Sequence, residues 1–426
     1  MDWTDRGVGL IEKGEEKKME LVERFLRYVT FDTQSSETSG THPSTPGQLV
    51  LARALAEEMR GLGARDVFVS EGGYVYATIP ASADQTGVPA LGFLAHMDTS
   101  PDAPGAQVKP RRVVYQGGVL ALGSSGRALD PKVFPELDRF VGKELIVTDG
   151  TTLLGADDKI GLAVLVTLAE KLLAPDAPSH REIRLCFTPD EEIGEGTDGF
   201  DSARFGASAA FTVDGGPVDE VENANFNAAS AKIVFHGVSV HPGSAKNVMV
   251  NALKLAAAFV ARLPASEAPE TTEGREGFFH PHALEGSVSE ATLQILVRDH
   301  DAAKFAARKA FLVRHVDILN QTVGAGTAQL TLKDQYVNME DRLARVPELV
   351  AMAERAVRAV GLEPKLVAIR GGTDGARLTE MGIPCPNLGT GGRNYHGECE
   401  YAIVEEIEQA FRIVLELAKS ACSQGA

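Results

Sequence analysis

Short motifs along this chain place an acidic residue or a histidine where an apolar strand ends. All but one of them stand at such a point, directly before a turn that contains glycine or proline. In α/β folds, ligands bind in the crevice outside the carboxyl ends of the strands. Two histidines and four carboxylates that converge there have few uses other than binding divalent cations, so the sequence predicts a metal-assisted hydrolase. The motifs are HMD (His96, Asp98), GADDK (Asp157), PDEE (Glu191, Glu192), TVDGG (Asp214), HPG (His241) and NYHG (His396).

The length and the charge of the chain limit its class. At 426 residues it exceeds one ordinary hydrophobic core, so we expect two domains. Its net charge of −17 argues against nucleic acid or an anionic membrane as a partner, because both require a positive protein surface. No run approaches the roughly 18 consecutive apolar residues of a membrane span. The N-terminus has no apolar signal core and the four cysteines show no CxxC spacing, which favours a cytoplasmic protein with reduced thiols.

Hydrophobic periodicity predicts an α/β fold in which a small domain interrupts a larger one. Residues 1–18 are polar, lack periodicity and are interpreted as an extension. Residues 19–225 and 338–426 are predicted to form the larger, catalytic domain. Residues 226–337 follow the order β-α-β-β-α-β, which is typical of a split-βαβ (ferredoxin-like) unit and would form an inserted lid or dimerisation domain.

The first two motifs each allow a functional and an ordinary interpretation. His96 and Asp98 are two residues apart at a strand end and can share a face. A metal-ligating histidine usually donates its other ring N–H to a carboxylate, which Asp98 could supply; a surface pair is the alternative. GADDK opens a helix, where Asp157 and Asp158 could simply cap free N–H groups. A carboxylate there could instead bridge two cations, since it has two oxygens.

PDEE is the most informative motif, because three adjacent acids follow a buried strand. Their charges repel one another unless cations or protons offset them, although a solvated acidic turn would also fit the pattern. The functional interpretation gives the two glutamates different tasks. One binds a metal ion, and its neighbour stays free as a general base that takes a proton from water and gives it to a leaving amine.

The remaining motifs indicate a metal site only in combination with those described above. TVDGG is an ordinary turn signal by itself, and a lone histidine in a glycine-rich loop is usually a surface residue. HPG lies in the predicted insertion, so His241 is expected to meet substrate rather than metal. Two histidines, one bridging carboxylate and two further carboxylates give each of two ions three protein ligands and an open position, as in two-metal aminopeptidase sites. Nitrogen and oxygen donors without thiolate favour zinc, with cobalt or manganese as substitutes.

From about Leu21 to the C-terminal helix the chain resembles the M20 metallopeptidases, and among them the tripeptide aminopeptidases. The resemblance rests on these segments, in order: HMDTSPD, TLLGADDK, FTPDEEIG, TVDGG, NFNAAS, HPGSAKNVMVNAL, RGGTDGA, MGIPCPNL and NYHGECE. It implies a mixed-sheet, di-metal peptidase domain with an inserted lid and dimerisation domain, which acts on short peptides as a homodimer. Met97 departs from the valine that is common in the family, and residues 1–18 have no counterpart there; neither departure touches the chemistry.

The resemblance also implies a role for each motif residue. The implied metal ligands are His96 and Asp214 for one ion, Glu192 and His396 for the other, and Asp157 as the bridge between them. Asp98 would orient His96, Glu191 would be the general base, and His241 would polarise the scissile carbonyl from the inserted domain, across a dimer. Candidates to hold the C-terminal carboxylate of the peptide are Arg298, Arg370, Lys246 and Asn251, with surface salt bridges as the alternative.

Other functions would fit the same metal core. It could serve a dipeptidase or a deacylase of N-acyl amino acids, or the chain could be a catalytically inactive metal-binding scaffold. The presence of Glu191 beside a complete ligand set favours a catalyst, since an inactive site has no need of a base.

Overall fold

The structure is a computed structural model that describes residues 20–123 and 125–419. The predicted extension, residues 1–18, and Cys422 lie outside the described residues. The strands are β1 (Arg65–Val69), β2 (Val75–Ile79), β3 (Leu91–His96), β4 (Arg111–Val114), β5 (Leu120–Ala121), β6 (Ala128–Leu129), β7 (Glu144–Val147), β8 (Ile183–Thr188), β9 (Ala210–Gly215), β10 (Glu220–Ala224), β11 (Asn227–His236), β12 (Phe278–Gly286), β13 (Glu290–Asp299), β14 (Ala328–Tyr336), β15 (Lys365–Ala368), β16 (Asn387–Gly389), β17 (Gly392–Arg393) and β18 (Tyr401–Ile403). The helices are α1 (Leu21–Tyr28), α2 (Pro46–Gly61), α3 (Ala156–Leu173), α4 (Ser202–Phe205), α5 (Ala252–Val260), α6 (Ala302–Val323), α7 (Glu340–Leu343), α8 (Pro347–Ala359), α9 (Asp374–Glu380) and α10 (Val404–Lys419).

The larger unit is built on an 8-stranded mixed sheet with the order β1-β2-β8-β3-β9-β16-β10-β15. β3 runs parallel to β8 and β9, and β9 runs parallel to β16. β2 and β10 pair antiparallel with β8 and β16, respectively. The carboxyl ends of the four central strands therefore meet at one edge of the sheet, which is where several of the motifs follow.

Helices cover both faces of this sheet. Because successive side chains of a strand point to opposite faces, the apolar residues of one strand pack into two different cores. Phe93 and Ala95 of β3 belong to the main core, together with residues of α1, α2, α3, α8 and α10. Leu94, between them, packs with Tyr74 and Phe205 in a second core on the other face. α3 is buried around nearly its whole circumference, which agrees with its apolar sequence.

The inserted unit is a separate 4-stranded antiparallel sheet with the order β12-β13-β11-β14. Along β11, Ala229, Ala231, Ile233 and Phe235 are buried at every second position and pack with residues of α5 and α6. The predicted β-α-β-β-α-β order is therefore confirmed, as is the mixed sheet of the larger unit.

Several short strands were not predicted from the sequence. β17, β18, β7 and β4 form a third sheet, and β5 pairs with β6, but of these only β7 carries a recognisable apolar run. Strands of two to four residues are too short to show a hydrophobic period. Cys186, Cys385 and Cys399 are free thiols. Among the described residues, no helix is both long enough and apolar enough to cross a membrane.

Candidate metal centre

Three motifs reach the same edge of the main sheet because their strands are neighbours. His96 is the last residue of β3, which lies between β8 and β9. Glu191 and Glu192 begin the turn that follows β8, and Asp214 lies near the end of β9. The parallel pairing of these strands brings a histidine and three carboxylates to one place, as the sequence predicts.

The first half of the site surrounds the buried ring of His96. Its Nε2 lies 2.8 Å from Oδ1 of Asp157 and 3.3 Å from Oδ1 of Asp214. Its Nδ1 lies 3.0 Å from the backbone carbonyl oxygen of Asp98. Because a carbonyl only accepts hydrogen bonds, Nδ1 donates to Asp98. Nε2 faces two acceptor carboxylates, so it either donates its own proton to them or, in the neutral ring, offers its lone pair to a cation between them.

The second half of the site surrounds His396, which follows β17 in a loop. Its Nε2 lies 2.8 Å from Oε2 of Glu192 and 3.4 Å from Oδ2 of Asp157. Its Nδ1 lies 3.3 Å from Oδ2 of Asp102, a carboxylate that the sequence analysis did not identify. The two oxygens of Asp157 thus face different histidines, which is the geometry that a bridging carboxylate requires.

Asp98 is fully buried beneath this arrangement. One carboxylate oxygen accepts the backbone N–H of Glu191 at 3.0 Å, and the other accepts that of Glu192 at 3.1 Å. Oδ1 is also 3.4 Å from Nδ1 of His96. Asp98 therefore contacts both the histidine and the turn that carries the two glutamates.

The second acid of GADDK differs from the first. The Asp158 carboxylate is fully buried and accepts the backbone N–H groups of His96, at 3.2 Å, and of Gly161, at 3.1 Å. The bond to Gly161 is of the capping kind that the sequence analysis gave as the alternative. Ligand atoms of His96, Asp158 and Asp214 lie within 4.8 Å of one another, as do those of His96, Asp157 and Glu192. The oxygens of Asp158 face backbone donors, whereas those of Asp157 face the two histidines, so Asp157 remains the better bridging candidate.

The buried carboxylate of Asp190, the first acid of PDEE, has its partners within the protein. It accepts hydrogen bonds from the backbone N–H of Ser44 at 2.7 Å, from Oγ of Ser44 at 2.5 Å and from Nε2 of Gln48 at 2.6 Å, and it lies 3.0 Å from Nδ1 of His42. Asp190 therefore fastens the PDEE turn to residues 42–48. No local pattern predicts these contacts, because Asp190 and its donors lie more than a hundred residues apart in the chain.

The protonation equilibria of the cluster reflect crowded negative charge. Burial raises the pKa of Glu192 to about 7, with a further contribution from Asp157, although the hydrogen bond with His396 opposes the shift. Burial and the charge of Asp214 raise the pKa of Glu191 well above its usual range, against the attraction of His96. Hydrogen bonds with Asp157 and Glu192 raise the pKa of His396 to about 11. Carboxylates so arranged favour positive charge among them, which divalent cations would supply.

A cavity of about 420 Å³ adjoins these carboxylates and lies between the two units. Its wall includes Glu191, Glu192 and His396 on one side and Tyr336, at the end of β14, on the other. Asp374, at the start of α9, also lines it, and its buried carboxylate accepts a hydrogen bond from Oγ1 of Thr188 at 2.7 Å. Burial raises the pKa of Asp374 to about 6. Within the segment RGGTDGA only Arg370 was a candidate from the sequence, so the place of Asp374 in the cavity wall is known from the structure alone.

The residues expected to contact substrate are less closely placed. Within the described residues, the wall of the cavity includes none of His241, Lys246, Asn251, Arg298 and Arg370. Nδ1 of His241 accepts the backbone N–H of Gly243, and Asn251 caps α5. Lys246 lies exposed on the stretch between them.

The two arginines already have partners in the protein. The guanidinium of Arg298 lies 5.5 Å from the ring centre of Tyr336, a residue of the cavity wall, and donates to the carbonyls of Ala229 and Val297. Arg370 donates to the carbonyls of Gly274 and Glu276 and to Oγ1 of Thr272. Its donors thus join the larger unit to the inserted one, and contact of either arginine with substrate stays a prediction.

Comparison with known proteins agrees with this architecture. Residues 223–326 match the model of the peptidase dimerisation domain, M20_dimer. The chain is 50% identical over 402 residues to a peptidase T from Exiguobacterium sp., covering 94% of this chain and 97% of the relative. It is 49% identical over 401 residues to a peptidase T from Vibrio parahaemolyticus, covering 94% and 98%.

Solved structures share the fold. An aminopeptidase PepT from Bacillus cereus has a TM-score of 0.73 at 24% identity, with 94% of this chain and 97% of that chain covered. A tripeptidase from Staphylococcus aureus has a TM-score of 0.74 at 23% identity, with the same coverage. A dinuclear metal-binding peptidase of the M20 family from Bacillus subtilis has a TM-score of 0.62 at 16% identity, covering 94% and 96%.

Proposed function

Because the chain belongs to the peptidase T family of M20 peptidases, we propose that it is a two-metal aminopeptidase that releases the N-terminal residue of tripeptides. One observation carries this proposal. The two oxygens of Asp157 face two histidines, and each histidine lies beside a further carboxylate. Glu191 adjoins this set on the wall of the cavity.

The donor atoms fit two divalent cations. His96, Asp214 and one oxygen of Asp157 would hold the first ion, and His396, Glu192 and the other oxygen of Asp157 the second. Three protein donors for each ion leave a position open for water or substrate. Because the set contains imidazole and carboxylate but no thiolate, we propose zinc, with cobalt or manganese as substitutes. When bound, such a pair of cations activates water and polarises a peptide carbonyl.

We propose that Glu191 is the general base. It takes the proton of the attacking water and returns it to the departing amine nitrogen. Asp98 supports this role, since its carboxylate holds the backbone N–H groups of Glu191 and Glu192. The carbonyl and carboxylate of Asp98 also orient His96 so that Nε2 faces the ligand site.

We propose that the inserted unit supplies the remaining substrate contacts. His241 would polarise the scissile carbonyl in the cavity of a second subunit, because its place in this chain lies outside the cavity wall. The match to the peptidase dimerisation domain supports a homodimer. Arg298, together with Arg370, Lys246 and Asn251, would hold the carboxylate terminus of the peptide. We further propose that the catalytic domain comprises residues 19–225 and 338–426 and that the lid comprises residues 226–337.

The proposal is tested with purified protein, zinc and the tripeptide Met-Gly-Gly. We expect release of free methionine, and no release from the N-acetylated tripeptide. Faster cleavage of N-acetylmethionine than of the tripeptide would instead support the deacylase, and preference for Met-Gly would support the dipeptidase. Zinc binding without turnover of any of these compounds would support the inactive scaffold. The matched control is Glu191→Gln, which keeps the size of the side chain and removes the base.

A further inference from the structure

Glu400 contacts the metal-site segment through an unusual number of backbone hydrogen bonds. Its carboxylate is 1% exposed and accepts four consecutive backbone N–H groups. One oxygen, Oε2, accepts those of Leu154 at 2.6 Å and Gly155 at 2.8 Å. The other, Oε1, accepts those of Ala156 at 2.8 Å and Asp157 at 3.2 Å. The last of the four donors belongs to the candidate bridging residue.

The segment that Glu400 holds is unable to satisfy these donors itself. It leads into α3, whose N-cap residue, Gly155, has no side chain and adopts a φ of +76°. Asp157 and Asp158 also depart from helical backbone angles. The first N–H groups of a helix need partners from outside it, and here one side chain from elsewhere in the chain provides them.

Glu400 belongs to the same loop as His396. The two residues are separated by one short turn, which the bond from the backbone N–H of Glu400 to the carbonyl of Gly397 closes at 3.1 Å. This loop thus carries the proposed metal ligand His396, and through Glu400 it also accepts a hydrogen bond from the backbone N–H of Asp157. The position of this loop therefore sets the distance between Oδ2 of Asp157 and Nε2 of His396, which is 3.4 Å.

We propose that Glu400 is a positioning residue that holds Asp157 at bridging distance from His396, and that its carboxylate is therefore required for tight binding of the metal pair. The inference rests on the proposed two-metal function. A carboxylate suits the task because both of its oxygens accept, whereas a glutamine of the same size would turn an NH₂ group towards two of the four donors. The buried ammonium of Lys159 interacts favourably with Glu400, so the negative charge has a partner inside the protein.

The test measures zinc affinity rather than activity alone. Wild-type protein and the variants Glu400→Gln and Glu400→Asp are stripped of metal, and zinc is titrated against a chromogenic chelator. We expect the zinc dissociation constants of Glu400→Gln to rise by about 10- to 100-fold, the range found when residues that support metal ligands are changed. Glu400→Asp keeps the charge but is one methylene shorter, so we expect an intermediate rise.

The control is Glu58→Gln. Glu58 also accepts several side-chain hydrogen bonds, from Arg24, Arg27 and Tyr28, but it lies on α2 and its partners lie on α1. We expect Glu58→Gln to lower the melting temperature of the metal-free protein while leaving its zinc dissociation constants at the wild-type values. A purely structural Glu400 would behave in the same way.

Each outcome decides the question. Wild-type zinc affinity in folded Glu400→Gln overturns the inference but leaves the two-metal function standing. If Glu400→Gln does not fold, Glu400→Asp decides: weakened zinc binding supports the inference, and wild-type affinity or failure to fold overturns it. A wild-type protein that binds no zinc overturns the proposed function and the inference with it.

Discussion

Replacing Asp98 separates the role of a buried carboxylate from that of an exposed one. Asp98 lies beside Nδ1 of His96 and is fully buried, whereas Asp102 lies beside Nδ1 of His396 and its side chain is 68% exposed. We therefore compare Asp98→Asn with Asp102→Asn. Each variant removes one negative charge next to a proposed metal-ligating histidine and preserves the shape of the side chain.

The expected loss of stability follows from the hydrogen bonds of Asp98. Its two oxygens accept the N–H groups of Glu191 and Glu192, and the amide oxygen of asparagine keeps only one of these bonds. The second N–H is left facing an NH₂ group in a buried site. A buried donor without a partner costs about 1–3 kcal/mol, so the free energy of unfolding of Asp98→Asn should fall by about that amount. Asp102→Asn should lose at most about 1 kcal/mol, as is usual for an exposed ion pair.

We also expect Asp98→Asn to lower kcat more than Asp102→Asn does. The bond from Nδ1 of His96 to the carbonyl of Asp98 survives the substitution, so at saturating zinc we expect an unchanged metal content. The turn that carries Glu191 loses one of its anchors, and kcat for Met-Gly-Gly should fall by about 10- to 100-fold, since supporting residues of this kind have effects of that size. Unfolding in urea, zinc content and steady-state kinetics measure the three quantities. Equal stability and equal kcat for the two variants would refute the reasoning.

Three further predictions follow from the same geometry. Glu191→Gln should lower kcat by about 10²- to 10⁴-fold without changing zinc stoichiometry, and loss of zinc would show that Glu191 is a ligand. The pKa of His396 is raised from 6.5 to about 11, so its contribution to the stability of the metal-free protein is complete below about pH 6.5 and is lost as the pH rises towards 11. Zinc must displace that proton, so between pH 6 and 9 calorimetry should record proton release and an affinity that increases with pH; a pH-independent affinity would contradict this. A Cβ at Gly161 would lie 2.1 Å from the carbonyl oxygen of Val213 and 2.6 Å from the Asp158 carboxylate, so Gly161→Ala should destabilise the protein by about 1–3 kcal/mol in urea unfolding, and wild-type stability would show that α3 shifts freely.

Much of the local structure can be predicted from the amino-acid sequence. Apolar runs predicted the strands β3, β8 and β9, and a period of about 3.6 predicted the long helices; together they predicted the β-α-β-β-α-β order of the insertion. The central strand β16, with three residues, was not predicted. These patterns can be recognised because the buried residues of a strand, and the buried face of a helix, must be apolar. The motifs were recognisable for a related reason, since His96, Glu192 and Asp214 interrupt or end apolar segments where a polar residue would otherwise be costly.

Which of these polar residues contact one another depends on how the whole chain packs. Asp190 and Glu191 are adjacent in the chain, yet Asp190 is held by Ser44 and Gln48 while Glu191 lines the cavity. Glu400 accepts a hydrogen bond from the backbone N–H of Asp157, which lies 243 residues earlier in the chain. Nothing in the sequence around Glu400 predicts this contact. Local spacing fixes the face on which a side chain lies. The partners of that side chain depend on the strand order β8-β3-β9 and on the packing of α3 against β3. Both of these arise from contacts between distant segments of the chain.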